Sequence, residues 1–257
     1  MLKMPQPKVQ ITYGFIKLDS ITFGNPNQKC LELLSKSCFI EDDIVPLIKK
    51  RPYIPSSYEK VVGELNIIVD AIKTVNSKEL LEDNSKYDSQ PLDAVFIDYC
   101  DKNGLIYDKD LLASVLTDFM PLIAKIKYYY NRPRPYQLAN YYAIPLFPAL
   151  PSSSPSYPSA KALISFLMTK IIFAKNNISA EKDKDKADAI TKFYNKICQS
   201  SINLGIHYPS DIEFSRLIGK LITENKKFVE KYLKTPITSP AEASEPVKEE
   251  VKADSVK

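Results

Sequence analysis

The sequence predicts an all-α protein built as a single-domain helical bundle, and three observations predict it. From about Gln28 onward, apolar residues recur at helical spacing in segment after segment, which gathers them on one face of a 3.6-residue period. No stretch shows the period-two alternation of a half-buried strand. Capping residues and prolines then punctuate the periodic segments where helices should start and stop.

Residues 1–25, with Pro5, Pro7, Gly14 and Gly24, read as an irregular N-terminal segment without sustained periodicity. Ser56 and Glu59 make a capping box ahead of Val61, Val62, Leu65, Ile68, Val69 and Ile72, which share one broad face. Pro91 opens a helix through Val95, Phe96 and Tyr99 that Gly104 ends. The next starts near Asp108 and runs through Leu112, Val115, Leu116, Phe119, Ile123 and Ile126 to Pro133 and Pro135. Pro121 should bend it or reset its start, because proline lacks the N–H that a helix interior uses.

Asn140 to Pro158 holds five prolines and a serine cluster, a connecting loop longer than most and therefore a place to expect function. Pro158 sits where the following helix begins, and that helix carries Ile164, Phe166, Leu167, Ile171 and Ile172. Glu181 to Asp188 alternates in sign and reads as a solvated helix face. A helix over Ala187 to Asn203 follows. The last begins at Ser210, with Ser210 and Glu213 as a second capping box before Ile212, Leu217, Ile218, Leu221 and Ile222. The helical domain is thus 26–234. From Thr235 to Lys257 Pro, Ser, Ala, Glu and Lys dominate, which predicts a disordered tail.

A chain of 257 residues with 44% apolar and 26% charged side chains can bury one ordinary core. Its net charge is +4, and the acidic tail leaves the preceding body nearer +6. That excess suits a small anionic ligand, while no run of Lys and Arg makes the concentrated patch of a nucleic-acid binder. Cys30, Cys38, Cys100 and Cys198 form no close pair and have no histidine nearby, so they read as reduced core thiols and no metal site is expected. The N-terminus shows no apolar signal core, which favours an intracellular over a secreted protein. No window reaches the ~18 consecutive apolar residues of a membrane span; the best, Ala162 to Ala174, includes Lys170. A soluble protein without a membrane span is expected.

Three short stretches carry chemistry: KYYYNRPRP from Lys127, SYPSAKA from Ser156, and SSINLGIHYPSD from Ser200. The first places Lys127 at a helix end and Arg134 just beyond it, two cations able to converge on an anion. The second offers Ser159 and backbone N–H groups at a helix N-terminus. The third sets His207 four residues before Asp211, so that a carboxylate on one ring nitrogen could leave the other free to attack. Taken singly, His207 fits a packed or capping histidine and Ser159 a plain helix cap; together the three describe an oxyanion pocket with one nucleophile.

In order and spacing these stretches resemble the type 2 phosphatidic acid phosphatase and vanadium haloperoxidase superfamily, especially its soluble acid-phosphatase-like branch. That pattern is Lys, six residues, Arg-Pro; then Pro-Ser-Gly-His; then Ser-Arg, five residues, His, three residues, Asp. Lys127 with Arg134-Pro135, Pro158-Ser159, and Ser200 with His207 and Asp211 match it. The resemblance spans about Lys127 to Lys220. It implies that His207 attacks phosphorus, that Asp211 orients the imidazole, and that Lys127, Arg134, Ser159 and the Ala160 amide hold the phosphoryl oxygens.

Two positions depart from the pattern. The expected Gly-His is Ala160-Lys161, and the expected Arg is Ser201; His207 is the only histidine in the chain. The general acid is therefore missing, worth ~10² to 10⁴ in rate, and Lys161 is the one replacement at hand for charge or proton. The departures predict impaired hydrolysis of a small phosphomonoester or diphosphate, biased toward good leaving groups. The alternative is a noncatalytic structural or interaction protein on the same scaffold. A third reading, vanadate-dependent haloperoxidation, would make vanadate the only cofactor and needs the same missing Arg and His.

Overall fold

The structure is a computed structural model that describes residues 21–51, 57–75, 78–148, 152–179 and 181–234; among them it contains helices and no strand. In chain order these are α1 (Gln28–Leu34), α2 (Glu41–Lys49), α3 (Tyr58–Thr74), α4 (Lys78–Ser89), α5 (Leu92–Asn103), α6 (Lys109–Tyr130), α7 (Pro135–Tyr141), α8 (Ala160–Lys175), α9 (Lys184–Asn203), α10 (Pro209–Glu224) and α11 (Lys226–Phe228). A π-helical turn, Val229–Leu233, continues α11.

Helix α8 buries residues on almost every side: Leu163, Ile164, Leu167, Met168, Ile171 and Ile172 are all near zero exposure. A helix with so little polar face belongs in the middle of a bundle, and α8 packs against α6, α9, α10 and the π turn. The α3 face fills a second cluster, in which Val61, Leu65 and Ile68 meet Leu138 of α7, Tyr194 and Cys198 of α9, and Ile212 of α10. The four cysteines are buried free thiols. Among the described residues no helix is long and apolar enough to cross a membrane.

Several boundaries differ from the sequence expectation for local reasons. Helix α3 is capped by Ser57, whose hydroxyl accepts from the Lys60 N–H; Ser56 lies outside the described residues. Glu59 then occupies the second helical position, one short of the third that a capping box requires. Pro121 does not reset α6, which runs unbroken for 22 residues. Buried Leu122, Ile123 and Ala124 follow it directly, and that packing outweighs one missing backbone bond. Helix α7 was not expected; Pro135 opens it, and the Gln137 side chain accepts the Arg134 N–H at 2.8 Å. The connecting segment therefore begins after Tyr141.

Helix α8 starts at Ala160 with Ser159 as its cap, one residue past Pro158. The charged stretch supplies the first turn of α9, which begins at Lys184 rather than Ala187, and Lys184, Asp185 and Lys186 are exposed as expected. The second capping box is different in kind. Ser210 turns to Glu64 of α3, and Asp211 instead reaches back to the Tyr208 N–H at 2.8 Å. The Lys226 to Leu233 segment extends the fold beyond the last expected helix and is held by fully buried Phe228 and Tyr232. Residues 1–20, within the segment read as irregular, and the 235–257 tail lie outside the described residues.

Candidate functional site

The site is built where three connections meet: the exit of α6, the segment entering α8, and the turn from α9 to α10. Asn131 ends α6 in the left-handed region at φ 46°, its N–H on the Lys127 carbonyl. The chain turns there and runs through Arg132 and Arg134 into α7. Alongside lies the serine-proline segment, tied on by the Ser156 N–H to the Arg132 carbonyl at 2.9 Å. Its successive carbonyls point at the cations: Arg134 Nε donates to Ser154 O at 2.8 Å, and Lys127 Nζ donates to Pro155 O and Ser156 O.

Helices α8 and α10 begin side by side. The Ser159 hydroxyl caps α8 by accepting from the Ala162 N–H, and the Ser159 N–H donates to the Asp211 carbonyl at 3.3 Å. Ser215 Oγ donates to both Ser159 O and Asp211 O. The α9–α10 turn needs Gly205, at φ 70°, where a Cβ would meet Ile72 Cδ1 at 2.9 Å. Beyond it the N–H groups of Ile206 and His207 both reach the Ser201 carbonyl, at 3.0 and 3.3 Å. Pro209 opens α10 and sets Asp211 in its first turn.

Lys127, Arg134, Ser159, Ser201, His207 and Asp211 are all at most 6% exposed, with Ala160 and Lys161 half-buried at the start of α8. One side-chain to side-chain contact joins two of them directly: Arg134 NH1 stands 2.9 Å from His207 Nε2 and also donates to Ile206 O. A guanidinium can only donate, so Nε2 is the acceptor and the ring proton sits on Nδ1. Burial first, then the charges of Arg134, Lys127, Lys161 and Arg132, push the imidazole well below its ordinary 6.5 and keep it neutral. Lys127 is also pushed well below its usual value, by burial and then Arg134, with Asp211 opposing. The charge of Lys161 is thus felt at His207, while Ser201 supplies no cation and its buried hydroxyl has no partner among the described residues.

The expected bond from Asp211 to the imidazole is absent, and His207 Nδ1 is buried without a partner among the described residues. The carboxylate is committed elsewhere: Oδ1 to Arg132 NH1 at 2.6 Å, Oδ2 to the Tyr208 N–H and the Ser156 hydroxyl. Arg132, 1% exposed, also donates to Ser210 Oγ and to Glu64 Oε2 and lies 3.7 Å over the Tyr208 ring. A fully buried cation and carboxylate bond each other strongly because either alone would be costly. Sequence reasoning missed Arg132, Glu64, Ser156 and Ser210. The second arginine of RPRP was the available signal for Arg132; nothing marks Glu64, a lone acid beside the apolar face of α3.

The arrangement can hold a small oxyanion: convergent cations, a helix N-terminus and a neutral imidazole in one buried place. No curated protein matches the chain. A family model, the PAP2 superfamily, matches residues 110–224. That span runs from the first turn of α6 to the end of α10 and includes all the site residues except Glu64. Over these residues the chain is similar to the PAP2 superfamily.

Proposed function

We propose that the chain binds a small phosphate ester among Lys127, Arg134, Lys161 and the N-terminus of α8 and hydrolyses it slowly through His207. The observation that carries this reading is the setting of His207, an imidazole in contact with Arg134 and kept neutral by burial first and then by the surrounding charges of Arg134, Lys127, Lys161 and Arg132. A neutral imidazole has the lone pair that a nucleophile needs. In the reaction Nε2 bonds phosphorus as the ester P–O bond breaks, and the leaving oxygen takes a proton from Lys161 or from water. Water then attacks phosphorus as the P–N bond breaks, its proton returns to the group that protonated the leaving oxygen, inorganic phosphate leaves, and the imidazole is restored.

Two features make the reaction slow. No imidazole stands at the Lys161 position to protonate the leaving oxygen, a loss of ~10² to 10⁴. Asp211 is bonded to Arg132, Ser156 and Tyr208, so the positive charge that builds on the ring meets no carboxylate. That second feature also supports a noncatalytic oxyanion binder as the alternative. The test assays the parent chain and His207→Ala against an aryl phosphate, an organic pyrophosphate and an alkyl phosphate at several pH values. Weak turnover of the first two by the parent alone is expected, with the alkyl ester at least ~100-fold slower. Equal rates in both chains remove His207 from the chemistry; a folded parent with no turnover favours the noncatalytic binder.

A further inference from the structure

The contact between Arg134 NH1 and His207 Nε2, 2.9 Å long and buried, does more than neighbour a nucleophile: it occupies the lone pair. Of the two ring nitrogens, Nδ1 holds the proton and has no partner among the described residues, while Nε2 spends its only acceptor site on the guanidinium. As it stands the imidazole cannot attack. The same guanidinium binds Ser154 O, Ser154 Oγ and Ile206 O through its other donors, which fixes its plane. The hydrogen bond from NH1 to a neutral nitrogen is the weak member of this set, since an anionic oxygen makes a roughly twofold stronger partner for a guanidinium.

We propose that Arg134 is a positioning residue that masks His207 Nε2 in the unliganded protein, and that a tetrahedral oxyanion unmasks it by taking the NH1 donor. The nucleophile is then freed only when the group it attacks is in place, which guards a buried reactive imidazole against other electrophiles. The inference rests on the phosphate-site reading above. It differs from it in assigning Arg134 two alternating partners rather than one ligand.

Because His207 is the only histidine, ¹⁵N-histidine labelling gives one imidazole whose two nitrogens can be followed by NMR without any turnover. The probe is inorganic phosphate, with binding followed separately by ³¹P line width and chloride at equal ionic strength as control. In the parent, the unliganded ring should show the Nδ1–H tautomer, and the Nε2 resonance should shift saturably with phosphate and not with chloride. In Arg134→Lys the unliganded Nε2 resonance should already have moved toward its phosphate-bound position; if that variant fails to fold, the parent titration decides alone. Phosphate binding that leaves Nε2 unmoved overturns the masking and spares the phosphate site. Absence of phosphate binding overturns both.

Discussion

Arg132 and Arg134 stand two residues apart in the link between α6 and α7, and they do opposite things. Arg132 is enclosed by acid, with Asp211 at 2.6 Å and Glu64 at 3.0 Å. Arg134 donates to carbonyls, a hydroxyl and the imidazole. The first guanidinium is neutralised within the fold and joins α3 to α10. The second keeps its field, which depresses the proton affinity of both Lys127 and His207. What separates scaffold from site here is the group that answers the charge, since the two residues are of one type and equally buried.

The contrast can be broken hardest at Arg132. Arg132→Ala leaves the buried Asp211 carboxylate without its cation, and the expected loss is about 3–5 kcal/mol in denaturant unfolding. Arg134→Ala deprives neutral acceptors and should lose less. A loss at Arg134 equal to that at Arg132 would erase the distinction.

Acid comes next in size. The unfolded imidazole gains a proton as pH falls through about 6.5, whereas the folded one, its proton affinity lowered by burial and by Arg134, Lys127, Lys161 and Arg132, does not. The unfolded state then binds more protons, so stability declines as pH drops below 6.5 until the folded pKa is reached. The slope approaches about 1.4 kcal/mol per pH unit. With a single histidine in the chain, His207→Gln should flatten this decline; an unaltered acid limb in the variant would show that other groups carry it.

The smallest effect belongs to Glu64. Its oxygens accept from Arg132, the Ser210 N–H and the Ser210 hydroxyl. Glu64→Gln keeps a carbonyl for the backbone donor and leaves Asp211 on Arg132, so about 1 kcal/mol should be lost in thermal unfolding. A loss as large as that of Arg132→Ala would make Glu64, and not Asp211, the anchor of the buried cation.

The order of helices was legible because periodicity survives any tertiary arrangement: the faces led by Val61, Leu112 and Ile164 are buried where the pattern put them. Helix α7 escaped notice because seven residues are too few to show a period, and Pro135 reads equally as a stop or a start. The Ser210 to Glu213 spacing misled for a different reason. Ser210 had a distant partner in Glu64, and a local motif cannot compete with a bond that folding supplies.

By itself the sequence determined the helical class, the three motifs whose residue types suit an anion, and the single histidine with Lys161 and Ser201 at the departing positions. Those properties are local: they depend on residue type and spacing. Only the tertiary structure decided which partner each charged group takes. His207 and Asp211 are four residues apart, yet the carboxylate chose an arginine 79 positions earlier and the imidazole met Arg134 instead. In a buried site a charge goes to the strongest counter-charge within reach, and reach is set by how helices pack.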